Sequence, residues 1–255
     1  MPKVVVCYKW VVDETYILQG ADGSLDFSRV EHKISDYDRN AIEAGVRAAK
    51  VLEGEAAGLT FGREDSRQSL KTALSRGLDE SYWVNASEAS KADGAATASA
   101  LAGAIARIED VSLVICAEGA SDTFARQTAP RIGALLDWPV ITSVCELSLS
   151  GNTLTATRKL KDSLETLEAE LPCVIAILPE LNEAPIPGLK AVLAAGKKPM
   201  NEYSPEDIEA DLAPKTKVDE IRGYVMSRKN IVIKEGSAAE KVAELMGHLR
   251  KEGFV

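Results

Sequence analysis

The chain has 255 residues, 45% apolar and 27% charged, with a formal net charge of −9. That length allows one large domain, or one domain plus an extension. The acidic balance and the lack of a Lys/Arg run argue against a nucleic-acid partner, and the longest apolar stretches are far too short to span a bilayer. Met1-Pro2-Lys3 leads straight into a strand pattern with no signal or transit segment, so a cytoplasmic protein is expected.

Residues 3–7, KVVVC, form a continuous apolar run of the kind that makes a central parallel strand. Asp22-Gly23, between Ile17 and Leu25, predicts a hairpin or tight turn. Ser35-Asp36-Tyr37-Asp38 opens a helix with a capping-box-like S-x-x-D spacing, and Ile42, Val46 and Ala49 give that helix one apolar side. Residues 56–61 predict a second strand ending at Gly62. Leu70 and Leu74 mark a helix that Gly77 closes. Residues 81–84 make a short strand. Asp93 caps a helix whose Leu101, Ile105 and Ile108 share a face, with small residues elsewhere that let a neighbour pack closely.

The next strand, residues 112–116, runs into 117–122, AEGASD, a loop with little side-chain bulk that lets a ligand approach the backbone. Asp122 or Thr123 is placed to cap a following helix, and Pro130 predicts a kink in it. A strand end feeding a helix N-terminus is where open α/β sheets hold phosphate groups. The same letters also describe an ordinary βα turn. The alternation of strands and helices up to this point predicts a parallel sheet covered on both faces.

After Pro139 the pattern changes. Residues 140–149, 153–160 and 164–170 read as strands with polar alternation, the first two joined by a hairpin turn at Ser150-Gly151-Asn152. They are expected to append antiparallel strands to the sheet. Residues 173–178, CVIAIL, return to a buried strand. In 182–199, Pro185 and Pro187 hold an extended loop, Gly188 frees it to turn, and a short helix follows with Leu189, Val192 and Leu193. Exposed apolar groups on a Pro-braced loop suggest docking, although the same letters fit a plain loop-to-helix connection. Residues 200–217 are acidic and aperiodic and are expected to form an extended arm. A strand over 229–234 and a helix with a Ser237–Glu240 capping box and an apolar stripe of Val242, Leu245, Met246 and Leu249 complete it. Such an arm needs a surface to pack on, and a partner is favoured over its own core.

No G-x-G-x-x-G follows the first strand and no G-x-x-x-x-G-K-[ST] occurs, which disfavours a Rossmann dehydrogenase or a P-loop enzyme. Four cysteines without a CxxC pair read as buried thiols, and the two histidines are isolated. Cys7, Phe61 and Ala117 mark strand ends on one edge of the sheet, where nucleotides bind. An adenine fits an apolar slot there, with its phosphate on N–H groups around Arg126, Gln127 and Thr128 and Arg126 adding charge. Asp36 and Asp38 read as complements to the helix dipole, with either able to meet a ribose hydroxyl or an adenine amino group.

Several pieces in order carry a family resemblance: VCYKWVVDE, ADGSLDFSRVEHKISDYDRNAIEAGVRAAK, LSRGLDE, ICAEGASDTFARQTAPRIGALLDWP, RKLKDSLETLEAELPCVIAI and NEAPIPGLKAVLAAGKKP. Over nearly its full length the chain resembles the β subunit of electron transfer flavoprotein, closest to the Fix-type branch. The resemblance implies an α/β fold, a doubly wound parallel sheet of the adenine-nucleotide-binding type, with added antiparallel strands and a C-terminal arm. It implies a domain over 1–199 that includes the 182–199 recognition loop, and an arm over 200–255 packing on the α subunit. It also implies an electron-carrier subunit rather than an enzyme, with FAD carried by or shared with the α subunit and AMP or a second FAD in the β site. Carried over, that site comprises Cys7, Ser35, Asp36, Tyr37, Asp38, Phe61, Ala117, Glu118, Gly119, Ala120, Ser121, Asp122, Thr123, Phe124, Ala125, Arg126, Gln127 and Thr128. Partner docking maps to Asn182, Glu183, Pro187 and Leu189, with an acyl-CoA dehydrogenase or related flavoprotein as one partner and a quinone oxidoreductase or ferredoxin as another. The alternative is a stand-alone adenine-nucleotide-binding regulatory protein.

Overall fold

A computed structural model describes residues 1–225 and 228–255. The chain forms strands β1 (Lys3–Cys7), β2 (Trp10–Val12), β3 (Leu18–Gln19), β4 (Leu25–Asp26) and β5 (His32–Ile34) before its first long helix, α1 (Asp36–Val51). There follow β6 (Glu55–Gly62), α2 (Gln68–Leu74), β7 (Glu80–Asn85), α3 (Gly94–Arg107), β8 (Val111–Ala117) and α4 (Thr128–Leu136). The second half carries β9 (Val140–Ser150), β10 (Thr153–Lys159), β11 (Leu164–Glu170), β12 (Cys173–Ile177), α5 (Leu189–Ala195), β13 (Met200–Tyr203), α6 (Pro205–Ile208) and α7 (Ala238–Lys251).

Nine strands make one sheet in the order β11-β10-β9-β12-β8-β1-β6-β7-β13. From β9 to β13 every neighbouring pair is parallel, and β10 and β11 continue it as antiparallel strands. This is the α/β doubly wound sheet with added antiparallel strands that the sequence predicts. β1 is central because its apolar run is buried on both faces: Val4 and Val6 face the side covered by α1 and α2, Val5 and Cys7 the side covered by α3 and α4. The chain leaves β1 toward β6 and β7, then crosses back to β8 on the other flank of β1. The strand order therefore reverses between β1 and β8, and their carboxyl ends open a crevice.

Four expectations are corrected. The helix after β8 does not begin at Asp122 or Thr123: 118–127 is a loop, with Phe124 and Arg126 at positive φ, and α4 starts at Thr128. Pro130 then falls in the first turn, where its missing N–H would have had no intrahelical partner, so it need not kink the helix. Residues 200–217 are not wholly aperiodic, because β13 pairs with β7 at the sheet edge and α6 follows it. Residues 229–234 form no strand. The Asp22-Gly23 turn is present, joining β3 to β4 as a two-stranded sheet.

The chain divides into two compact units, Met1–Leu18 with Phe27–Glu220, and Gln19–Asp26 with Ile221–Val255. The second unit carries α7, capped by Ser237 and Glu240 as the spacing predicts. None of the residues of α7 is buried, and Val242 and Leu245 of its apolar stripe lie exposed. Two residues of the expected arm, Met226 and Ser227, lie outside the described residues.

Candidate nucleotide site

A cavity of about 410 Å³ lies at the carboxyl ends of β1, β6 and β8, lined from α3, the 118–127 loop and the start of α4. Its size falls within the roughly 300–1,000 Å³ of small-molecule sites. A smaller hollow of about 350 Å³ lies between α1 and β9, away from the switch point.

The sheet supplies the floor. Val6 stands opposite Ile115, which brings Cys7 beside Cys116 at the ends of β1 and β8. A hydrogen bond shared with Cys7, together with burial, pushes the Cys116 thiol well above its ordinary pKa. Both cysteines are buried, as the sequence predicts, and Cys116 is a quiet, protonated thiol rather than a nucleophile. Phe61, at the end of β6, adds an aromatic wall.

The first turn of α1 supplies one side. Asp38 is buried, and its Oδ2 accepts the N–H of Lys9 at 2.8 Å. Burial pushes its carboxyl up to about 7, against the lowering effect of the Lys9 N–H. The predicted capping box is absent. Ser35 occupies the N-cap without capping through its side chain, and its Oγ instead accepts the N–H of Ser121 at 3.1 Å, tying α1 to the loop.

The loop supplies the other side. Glu118 is buried, with only 7% of its surface exposed. Its carboxylate accepts Arg126 Nε at 2.9 Å and Nη2 at 2.7 Å, the Ser143 N–H at 2.7 Å and the Ser143 hydroxyl at 3.2 Å. Arg126 also donates to Ser143 Oγ at 3.1 Å. This network qualifies the expectation that Arg126 adds charge at the phosphate, since a buried carboxylate matches its own. Gln127 and Thr128 bring the N-terminus of α4 to the cavity wall, where the first N–H groups of a helix await an acceptor.

Of the residues expected at the site, Cys7, Asp38, Phe61, Ala117, Glu118, Gly119, Ala120, Thr123, Ala125, Arg126, Gln127 and Thr128 line this one cavity. The others stand behind it. Ser35 and Ser121 bond to each other, Asp36 pairs with Lys33 at 3.0 Å and Arg39 at 2.9 Å, and Asp122 holds Lys9 at 2.6 Å. Tyr37 packs on Phe124 with ring centroids 5.2 Å apart. The cavity also takes in Lys9, Asp93, Thr97, Cys116, Thr216 and Val218, which were not among the expected site residues. Thr97 and its small neighbours on α3 were a legible signal. Thr216 and Val218 sit in an aperiodic segment and offered none.

The residues to which the resemblance assigns docking lie elsewhere in the same unit. Asn182 and Asn40 exchange two bonds: Asn40 Nδ2 donates to the Asn182 carbonyl at 2.6 Å, and Asn182 Nδ2 donates to the Asn40 carbonyl at 3.1 Å. Glu183 is exposed and Pro187 half-buried. Beyond this root, Ile186 is 92%, Leu189 76% and Leu193 66% exposed.

The fold and the cavity at its switch point define the class: a doubly wound α/β domain of the kind that binds small ligands at the carboxyl ends of its strands. The family model of the electron transfer flavoprotein domain matches residues 22–208, and the chain belongs to that family. The family is one of electron carriers rather than catalytic enzymes. Flavin or nucleotide association follows from the membership. The chain's own residues fit such a group: an apolar floor, buried hydrogen-bonding groups at one end, and helix N–H groups at the other. Among the described residues, no helix is long and apolar enough to cross a membrane.

Proposed function

We propose that this chain is the β subunit of an electron transfer flavoprotein of the Fix-type branch, holding an adenine nucleotide in the switch-point cavity. One observation carries the reading. Cys7, Asp38, Phe61 and most of the 117–128 loop, to which the resemblance assigns the adenine site, line a single cavity at the place where open α/β sheets bind ligands. The adenine lies against Phe61 and the thiol floor, and the phosphate end faces Gln127 and Thr128. Asp38 sits at the α1 wall, a hydrogen-bond donor when protonated and an acceptor when ionised.

Electron passage belongs to flavin, which when bound accepts and delivers electrons. The chain's part is to hold and orient the nucleotide and to carry partners. FAD sits on or is shared with an α subunit, and the β cavity takes AMP or a second FAD. The 200–255 arm packs on the α subunit, a reading supported by the uncovered apolar stripe of α7. The loop around Leu189 meets an acyl-CoA dehydrogenase or related flavoprotein, and the assembly passes electrons on to a quinone oxidoreductase or ferredoxin.

The test is to co-express the chain with its candidate α subunit, purify the assembly and extract its small molecules. A yellow heterodimer with one FAD and one AMP supports a simple carrier, and two FAD support a bifurcating one. A colourless monomer that binds AMP reversibly replaces this reading with a stand-alone regulatory protein. Neither flavin nor adenylate in any form of the protein overturns the site.

A further inference from the structure

The charges around the cavity are matched in an uneven way. The cations that line it are Lys9 and Arg126, and each is already held by a carboxylate: Lys9 by Asp122 at 2.6 Å, Arg126 by Glu118 at 2.7 Å. Two further carboxylates, Asp38 and Asp93, face the same space. A phosphate entering here meets N–H donors at the start of α4 and the outer amino group of Arg126, but no surplus positive charge. Glu118 is the harder of the two counter-ions to displace. It is buried, and Arg126 and Ser143 together direct four donor contacts at its two oxygens. Pulling Arg126 away would strand a buried carboxylate, so the ligand cannot take Arg126 for itself.

Resting on the adenine-nucleotide reading, we propose that Glu118 is a charge filter: by cancelling Arg126 it restricts the cavity to adenine ligands with no more phosphate charge than AMP, a limit that the diphosphate diester of FAD also meets, and excludes ADP and ATP. Glu118 acts through Arg126 and so is a specificity-determining, positioning residue.

The experiment titrates adenosine, AMP, ADP and ATP, free of magnesium, into the full-length protein and into Glu118→Gln. In the unmodified protein, affinity should fall along the series, with ATP at least about tenfold weaker than AMP. In Glu118→Gln the Arg126 charge is released. AMP should then bind about tenfold tighter, with a larger gain for ATP and adenosine unchanged. A gain graded by ligand charge cannot come from damage to the fold, which would weaken all four together. If ATP binds the unmodified protein as tightly as AMP, or the variant loses all four equally, the filter is wrong while the nucleotide reading stands. If the unmodified protein binds neither adenosine nor AMP, the nucleotide reading itself falls. The series in the unmodified protein needs no variant, so ATP bound as tightly as AMP overturns the filter even if Glu118→Gln does not fold.

Discussion

Asp93 binds Thr216 across 123 positions of sequence: its Oδ2 accepts the Thr216 N–H at 2.8 Å and hydroxyl at 3.1 Å, and the Lys215 N–H at 2.7 Å. The other oxygen caps α3, accepting the N–H groups of Ala95 and Ala96 at 3.0 Å each. One carboxylate thus starts a helix and straps 215–216 along the cavity wall. The two jobs separate by substitution. In Asp93→Asn the amide oxygen can keep the cap, but the amide nitrogen faces two backbone donors and the strap lets go. We expect α3 and the thermal midpoint to change little in Asp93→Asn, while limited proteolysis cuts within 211–220. Asp93→Ala should lose both the cap and the strap and melt earlier. An Asp93→Asn protein as protease-resistant as the parent would show that the strap is held by other contacts. The Ala96 N–H comes first among the groups that hold the Asp93 carboxyl below its ordinary value. Its contribution is therefore complete above about pH 4 and is lost only as acid reaches the depressed folded value.

Asp38 should leave the opposite mark on stability. Its carboxyl moves from 3.8 in the unfolded chain to about 7 in the native protein, chiefly through burial. Between those values the folded state binds the extra proton, so stability falls as pH rises from about 4 to 7 and is level above that. The size is at most about 4 kcal/mol from this one group. Asp38→Asn keeps an acceptor for the Lys9 N–H and does not titrate. Denaturant titrations should therefore show the variant matching the parent near pH 4 and exceeding it by a few kcal/mol at pH 8. A difference that does not vary with pH would mean that Asp38 is already ionised throughout the range.

Close packing of α1 on β1 makes a third prediction. A Cβ on Gly45 would fall inside contact distance of Val6 Cγ2, and Val6 is fully buried in the central strand. Helix propensity favours Ala over Gly by about 1 kcal/mol, but overpacking a rigid β-branched neighbour costs about 1–3 kcal/mol. With the Cβ well inside contact distance the clash should win, leaving Gly45→Ala less stable by up to about 2 kcal/mol in urea titration. Gly247, in α7, meets nothing within 4 Å. Gly247→Ala should show only the propensity gain, and the opposite sign of the two changes is the check.

What could be read beforehand followed physical range. β1, β8 and β12 were legible because a strand buried on both faces must be apolar throughout, and Asp93 because a cap acts on its nearest neighbours. The start of α4 was misjudged because Asp122 and Thr123 are good caps locally. Nothing nearby reveals that Asp122 is drawn to Lys9, or that Glu118 pins Arg126 against Ser143. The pairing of β13 with β7 and the reach of Thr216 to Asp93 join residues far apart in sequence. No local period encodes either contact. The cavity was found through its strand ends and its loop, while its electrostatics, with every lining cation matched, emerged only from the packed side chains.

The exposed loop yields the last prediction. Ile186, Leu189 and Leu193 stand clear of the core on a segment rooted by the Asn40–Asn182 exchange and by Arg76, whose guanidinium donates to the Pro185 carbonyl at 3.3 Å. A rigid root with an exposed apolar tip suits a side chain that enters a partner's pocket, where truncating an anchor costs about 2 kcal/mol or more. Leu189 is too exposed to stabilise its own fold appreciably. Leu189→Ala should therefore leave the unfolding midpoint and bound nucleotide unchanged, while electron transfer with a docked dehydrogenase weakens about thirtyfold at limiting concentrations. Asn40→Ala acts differently, because it loosens the root without touching the tip. It should lower both stability and transfer. Unaltered transfer by Leu189→Ala, measured against the same dehydrogenase, would remove Leu189 from the docking surface and leave the cavity assignment untouched.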